Sequence, residues 1–123
     1  MVEIQLTIPD PIREALPADD DAAIADMERA VRGWERQLND FLAGDGGQKH
    51  VVDLIERFEQ RWEQYDEFVV ELRSWGRSPI YAMSWRDLHA SIIQQLYDHE
   101  ELAESIDRER NARIVDDGIR PER

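Results

Sequence analysis

The chain has 123 residues, the length of one domain, and at this size a hydrophobic core can form without disulfides or a metal. Its 28 acidic and 15 basic residues give a formal net charge of -13, which argues against sequence-independent binding to nucleic acid or to an anionic membrane. The chain has no cysteine, which excludes thiol redox chemistry, thiolate metal sites and a disulfide framework.

No apolar run approaches the roughly 20 residues that a membrane-spanning helix needs. The N-terminus also lacks the basic start and the apolar stretch of a signal peptide. We therefore expect a soluble intracellular protein, or one carried inside a particle assembled in a cell, without direct contact to nucleic acid or membrane.

The first residues alternate apolar and polar side chains, with the apolar ones at Val2, Ile4, Leu6 and Ile8. This period of two predicts a half-buried β-strand, which Pro9-Asp10-Pro11 would end. A lone strand leaves its backbone groups unpaired, and the only candidate partner within the chain is Arg113-Ile114-Val115. We treat residues 1–11 as an N-terminal arm that pairs there, joins another subunit or partner, or is a frayed or simply packed terminus.

Two runs of apolar residues, spaced by three and four positions, predict a pair of helices. The first follows Asp19-Asp20-Asp21, which suits a helix N-terminus, and Gly44-Asp45-Gly46-Gly47 ends it. Its apolar positions are Ile24, Met27, Val31, Trp34, Leu38 and Phe41. Those of the second are Val51, Ile55, Phe58, Trp62, Tyr65, Val69, Leu72 and Trp75, with Leu54, Phe68 and Val70 widening the stripe. Successive seams of this kind favour an antiparallel helical hairpin.

The stretch 75–85, WGRSPIYAMSW, predicts a reversal of the chain. Gly76 suits the C-terminal cap of the long helix, and Pro79 disfavours helix at the residue before it. Ser84 and Asp87 match a capping box at the start of a third helix. That helix is predicted from its apolar positions Trp85, Leu88, Ile92, Ile93, Leu96, Leu102 and Ile106.

The fold class predicted for residues 1–123 is mostly all-α, in a single domain. It consists of a helical hairpin plus a third helix, with the short N-terminal β-strand attached. Residues 107–123 balance five acidic residues with five arginines and are predicted to form a charged C-terminal tail.

No catalytic, cofactor-binding or metal-binding constellation stands out. His50, His89 and His99 lack the Glu-x-x-His spacing of di-iron bundles, and we expect each to be a partly exposed helical residue. We predict no catalytic residues, no cofactor and no metal, and therefore no enzyme. A small helical enzyme or metal protein, with a pocket lined by His89, His99 and nearby acids, is a competing hypothesis.

The residues around the reversal are candidates for binding a protein partner. They are Ile80, Tyr81, Met83 and Trp85, which either close the open end of the hairpin or contact another protein. Together with Val2, Ile4, Leu6 and Ile8 they are the predicted partner-binding residues. The expected partners are proteins, in a homo-oligomer or a larger assembly.

The segments Leu72-Arg73-Ser74-Trp75-Gly76-Arg77-Ser78-Pro79 and Ala82-Met83-Ser84-Trp85-Arg86-Asp87-Leu88 resemble a helix-break-helix element of small tail-assembly and tail-completion proteins of tailed phages. In these proteins a helix ends at Trp-Gly or Gly-Trp, a Ser-Pro turn follows, and Met-Ser or Met-Pro begins the next helix. The rest of the chain carries no motif of that family, although a neck (head-tail completion) protein also fits the strand and the helices.

The basic residues are fourteen arginines and a single lysine, and this acidic, lysine-poor composition is similar to that of proteins from salt-accumulating halophiles. Together the two resemblances imply a non-enzymatic structural or assembly protein of a viral particle, from a virus of a haloarchaeon. Its location would be the virion or the host cytoplasm. An acidic regulatory or inhibitor protein that mimics nucleic acid and binds a basic partner is the alternative.

Overall fold

A computed structural model describes residues 3–44 and 47–116 of the chain. The five helices in these ranges are α1 (Asp10–Ala15), α2 (Asp21–Ala43), α3 (Gly47–Ser74), α4 (Ile80–Tyr97) and α5 (Glu100–Asp116). The described ranges contain no β-strand, so the mostly all-α prediction is confirmed there, whereas the hairpin with one further helix is too simple.

Helices α2 and α3 form the antiparallel hairpin that their seams predict. The ring centroid of Trp34 lies 4.8 Å from that of Phe58, and the centroid of Phe41 lies 5.0 Å from that of His50. Residue numbers therefore rise along α2 as they fall along α3. The buried seam residues are Met27, Val31, Leu38, Val51, Ile55, Phe58 and Val69.

Helix α4 is also antiparallel to α3. The ring centroid of Phe58 lies 5.0 Å from that of His89, and Arg86 donates a hydrogen bond of 2.8 Å to Asp66. Since α2 and α4 both oppose α3, they run in the same direction and leave a groove between them. The N-terminal residues occupy this groove.

Residues 3–9 are extended but pair with no strand in the described ranges, so the predicted β-strand is wrong there. Ile4, Leu6 and Ile8 are instead buried in the core of their own chain. The alternation of the sequence is thus real, and it reflects a segment with one face against helices. Val2 lies outside the described residues, and the proposed partner segment at residues 113–115 belongs to α5.

Side-chain amides from two helices supply the hydrogen bonds that a neighbouring strand would have given. The Ile4 N–H donates to Asn39 Oδ1 at 2.8 Å, and Asn39 Nδ2 donates to the Ile4 carbonyl at 3.0 Å. Gln95 binds both backbone groups of Thr7 in the same way, at 3.0 and 2.9 Å. Because unpaired buried backbone groups are costly, these amides allow an extended segment to lie among helices without a sheet.

A carboxylate also binds the backbone of the segment, at a position between those that the two amides hold. Glu35, one helical turn before Asn39 on α2, accepts a hydrogen bond of 2.8 Å from the Leu6 N–H. The backbone is therefore held at residues 4, 6 and 7, which fixes the register of the segment along the groove.

The segment leads into α1, a helix that no sequence pattern predicted. The Pro-Asp-Pro motif ends the extended segment and also starts the helix, because Pro11 falls in the first turn, where a missing N–H is tolerated. Ile12 of α1 and Leu16 after it are buried against the core.

The start of α4 differs from the prediction. Pro79 is the N-cap, and the Met83 N–H donates to its carbonyl at 2.8 Å. Ser84 is buried inside the helix, so the predicted capping box of Ser84 and Asp87 is wrong. The Pro79 carbonyl accepts the first hydrogen bond of the helix, and an N-cap residue needs no N–H of its own for the helix, so α4 can begin at Ile80.

The predicted third helix is two helices, α4 and α5, separated by Asp98 and His99. Neither glycine nor proline marks the break. The core spacing does change, because Leu102 follows Leu96 by six positions instead of three or four.

The predicted charged tail is helical as far as Asp116, and residues 117–123 lie outside the described ranges. Arg110 donates to Glu59 at 2.8 Å, and Arg113 forms ion pairs with Asp53 and Glu56 at 2.8 and 3.3 Å. These pairs join α5 to the acidic side of α3.

The amide pairing yields a test of stability. We expect Asn39→Ala to lower the free energy of unfolding by about 1–3 kcal/mol, because both backbone groups of Ile4 lose their partner. Gln94→Ala is the control, since Gln94 is exposed and its amide donates only to Asp98; a change within about 0.5 kcal/mol is expected. Urea unfolding measures both, and equal losses would contradict the role of Asn39.

Candidate protein-contact surface

Helix α3 ends in a Schellman cap at Gly76, as the sequence predicted. Gly76 has a φ of 70°, the left-handed conformation that glycine adopts without strain. Its N–H donates to the Arg73 carbonyl at 3.1 Å, and the Arg77 N–H donates to the Leu72 carbonyl at 2.9 Å. The cap fixes Trp75 at the very end of the helix.

Large apolar side chains are exposed on both sides of this cap. Trp75 is 61% exposed, and Phe68 and Tyr81 are each 44% exposed. Phe68 and Trp75 lie seven positions apart, about two helical turns, so they share one side of α3 with the half-buried Leu72 between them. Tyr81 lies across the reversal in the first turn of α4. We call these four residues the tip surface.

The exposure of Trp75 corrects its assignment to the seam. Because Trp34 faces Phe58, the first residue of α2, Asp21, falls opposite Glu71, thirteen positions further along each helix. The last turn of α3 therefore projects past the start of α2, while α4 lies beside it where Arg73 contacts Met83. The widening of the stripe by Phe68 and Val70 is likewise wrong, since both are exposed, whereas Leu54 is buried.

The other predicted partner-binding residues near the reversal lie further inside. Ile80 and Met83 line a cavity of about 110 Å³ together with Pro11, Ile12 and Ala15, and both are half-buried against α1. Trp85 is half-buried and packs against the core. Of this predicted group only Tyr81 is exposed, and Ile4, Leu6 and Ile8 of the arm contact their own chain.

Charged groups of both signs surround the tip surface. The Tyr81 hydroxyl donates to the Asp20 carboxylate, which raises the pKa of Tyr81 and lowers the pKa of Asp20. Arg73 contacts the Met83 sulfur at 3.6 Å. Within the described residues, no ion pair engages Arg73, Arg77, Glu67 or Glu71. The tip surface is therefore apolar, with uncompensated charges of both signs at its rim.

A buried histidine lies deeper in the bundle, and the prediction of a partly exposed His89 is wrong. His89 is 2% exposed, and its Nδ1 lies 2.7 Å from the Trp85 carbonyl. A carbonyl only accepts, so Nδ1 carries the proton, and Nε2 is left without a partner in the described part of the chain. Rings surround the imidazole at centroid distances of 5.0 to 6.5 Å, from Phe58, Trp34, Tyr65 and Trp85.

This environment favours the neutral imidazole. Burial lowers the pKa of His89, and the positive charge of Arg61 lowers it further, while the bond to the Trp85 carbonyl opposes both effects. His89 is therefore a core residue among aromatic rings, and the acids that the enzyme hypothesis placed beside it do not surround it.

The described ranges offer no cluster of three or more side chains suited to hold a metal ion. An open groove of about 320 Å³ lies between α3 and α4, lined by Glu59, Glu63, Trp62, Ala90 and Ile93. Glu59 is already bound to Arg110, and the lining supplies no nucleophile beside a base. No helix in these ranges combines the length and the apolar run required to cross a bilayer.

Comparison with protein families matches residues 1–123 to a model described as "Family of unknown function (DUF7971)". No curated protein matches the chain, and no solved structure does either. The surface geometry is therefore the basis for a functional proposal.

The cap at Gly76 predicts opposite effects of alanine at two glycines. We expect Gly76→Ala to lower the free energy of unfolding by about 1 kcal/mol, because alanine is strained at positive φ. Gly33→Ala, in the middle of α2 with open space around the added methyl, should raise it by about 0.5–1 kcal/mol. Chemical denaturation measures both, and changes of the same sign would contradict this account of the cap.

His89 predicts a specific pH dependence. Its folded pKa lies below the unfolded value of 6.5, so the unfolded chain binds the proton first as pH falls. The stability is fully present above 6.5 and is lost below it, by about 1.4 kcal/mol per pH unit until the folded pKa is reached. The free energy of unfolding of the wild type should therefore fall relative to His89→Phe between pH 8 and pH 5. Parallel pH profiles for the two proteins would contradict the assignment.

Proposed function

The chain belongs to a family of unknown function (DUF7971), and we propose that it is a non-enzymatic structural or assembly protein that acts through protein-protein contacts at the tip surface. The observation that carries the proposal is the 61% exposure of Trp75 beside Phe68 and Tyr81. Tryptophan and tyrosine dominate the energetics of protein interfaces, because they bury a large area with little loss of conformational entropy.

Clustering distinguishes this surface from ordinary exposed apolar residues. Among the large hydrophobic residues exposed in the described ranges, Phe68 and Trp75 share one side of α3 and Tyr81 follows the same cap, whereas Val70 points away from that side and Ile114 lies on α5. Single exposed apolar side chains are normal on soluble proteins, while contiguous patches rimmed by polar groups are typical of binding sites.

A viral particle is the narrower form of the proposal, with the protein acting in the virion or the host cytoplasm as a tail-assembly or neck component. It is supported by the resemblance of residues 72–79 and 82–88 to the break element of such proteins, and the acidic, lysine-poor composition extends it to a haloarchaeal virus. One feature departs from the family pattern, since the second helix begins at Ile80 and not at the Met-Ser pair.

The test compares three baits in lysate of the organism that encodes the protein, or of its infected host. Wild type, Trp75→Ala and Val70→Ala are immobilised in equal amounts, and captured proteins are quantified by mass spectrometry. Val70 is the matched control, because it is as exposed as Trp75 but points away from the tip surface by about 140° around α3.

We expect partners captured by the wild type and by Val70→Ala to fall at least about tenfold with Trp75→Ala, as for an interface hot spot. Equal capture by all three baits would contradict a contact through the tip surface. If the shared partner is then a basic nucleic-acid-binding protein released by salt, the acidic regulatory alternative is correct. Particle proteins among the Trp75-dependent partners would support the viral proposal.

A further inference from the structure

We propose that the groove between α3 and α4 binds a small organic cation of the alkylated ammonium class, through Trp62 and Glu63. The groove has a volume of about 320 Å³, at the lower end of the range for small-molecule sites. It is separate from the tip surface, since Trp62 lies thirteen positions before Trp75, about 20 Å along α3. The site is therefore independent of the proposed function.

The lining of the groove combines apolar side chains with carboxylates. The apolar lining consists of Trp62 from α3 and of Ala90 and Ile93 from α4, and the acidic lining consists of Glu59 and Glu63. Ala90 extends only a methyl group, which leaves space between the two helices. A ligand that matches both parts of this lining has an apolar body and a positive charge.

One of the two carboxylates already has a cationic partner. Glu59 and Glu63 are four positions apart on α3, so they are neighbours on one side of the helix, where like charges repel. Arg110 contacts Glu59 at 2.8 Å, whereas no ion pair engages Glu63 within the described residues. A bound cation supplies to Glu63 the opposite charge that Arg110 supplies to Glu59.

Trp62 provides a second attraction for the same cation. It is half-buried, and it lines the groove one position before Glu63. The face of an indole ring attracts a cation within about 6 Å of its centre, more strongly than the ring of tyrosine or phenylalanine does. An aromatic ring and a carboxylate on adjacent residues thus offer two favourable contacts to one positive charge.

The small number of hydrogen-bond acceptors favours an alkylated ammonium over other organic cations. A guanidinium presents five N–H donors and a primary ammonium three, and each donor that loses water needs a new acceptor. Glu59 is engaged by Arg110, which leaves Glu63 as the free side-chain acceptor in the lining. A quaternary ammonium has no donor to satisfy, and its methyl groups can pack against apolar side chains.

Two ion pairs limit the length of the groove, which favours a compact ligand. Arg86 of α4 contacts Asp66 of α3 at 2.8 Å, and Arg110 of α5 contacts Glu59 at the same distance. Asp66 follows Glu59 by seven positions, so the two pairs are about 10 Å apart along α3. This span suits a small molecule better than an extended peptide, which advances about 3.3 Å with each residue.

Choline is the probe, and its neutral counterpart is the dimethylbutanol in which a carbon atom replaces the charged nitrogen. Each is titrated into the full chain at a constant ionic strength of about 0.1 M, and the backbone amide resonance of Ala90 is followed by NMR. We expect choline to bind saturably with a Kd on the order of 1 mM, and dimethylbutanol to bind at least about tenfold more weakly. The absence of saturable binding of choline, or equal binding of the two probes, would overturn the proposal.

A matched pair of variants separates the groove from the general attraction of an acidic protein for cations. Glu63→Gln removes the charge but keeps the shape, and should raise the Kd for choline by about threefold to fivefold. Glu71→Gln removes the same charge about 12 Å further along α3, beyond the screening length at this ionic strength, and should change the Kd less than about twofold. Equal effects of the two substitutions would contradict binding in the groove.

The aromatic contact and the class of cation have their own controls. Trp62→Leu keeps an apolar side chain, and should raise the Kd for choline about fivefold, with circular dichroism to establish that the variant is folded. Trp75→Ala, at the tip surface, should bind choline like the wild type. Equal binding by Trp62→Leu would contradict the role of the indole, and tighter binding of methylguanidinium than of choline would overturn the choice of an alkylated ammonium.

Discussion

The arrangement of the helices depends on how one extended segment satisfies its backbone without a neighbouring strand. Asn39 from α2 and Gln95 from α4 each bind both the N–H and the carbonyl of a single residue, Ile4 and Thr7 respectively. An amide side chain presents one donor and one acceptor, so it can imitate the edge of a strand at one position. The groove between two parallel helices is thereby filled by an apolar segment whose polar backbone is also satisfied.

The position of this extended segment is linked to how the helices pack on one another. With residues 3–9 in the groove, α2 and α4 both pack on α3, and the core continues across all of them. The helices are unequal, however, because α3 has 28 residues, α2 has 23 and α4 has 18. Helix α3 projects past the first residue of the shorter α2, and the apolar period of α3 continues into that projection. The tip surface is thus a geometric result of pairing a long seam with shorter ones.

Local sequence patterns predicted those structural features whose physical cause is itself local in the chain. The steps of three and four gave α2 and α3, Asp20 accepts the N-capping bond from Ala23, and Gly76 adopts the expected left-handed conformation. The alternation at residues 2–8 was ambiguous, because a strand and an extended segment on a helical surface bury every second residue alike. The residues that decide between them, Asn39 and Gln95, lie 35 and 88 positions away, and no spacing connects them to the segment.

The burial of the aromatic residues also depends on distant parts of the chain and could not be predicted from local patterns. Nothing near His89 in the chain predicts that Trp34 and Phe58, from two other helices, enclose it with Trp85 of its own helix, because the enclosure arises from packing. Trp75 continues a seam as regularly as the positions before it, yet it is exposed, since burial depends on what lies opposite and α2 starts too late to cover it. A seam therefore establishes that a helix has an apolar side, and the lengths of its neighbours decide which part of that side is core and which part stays exposed.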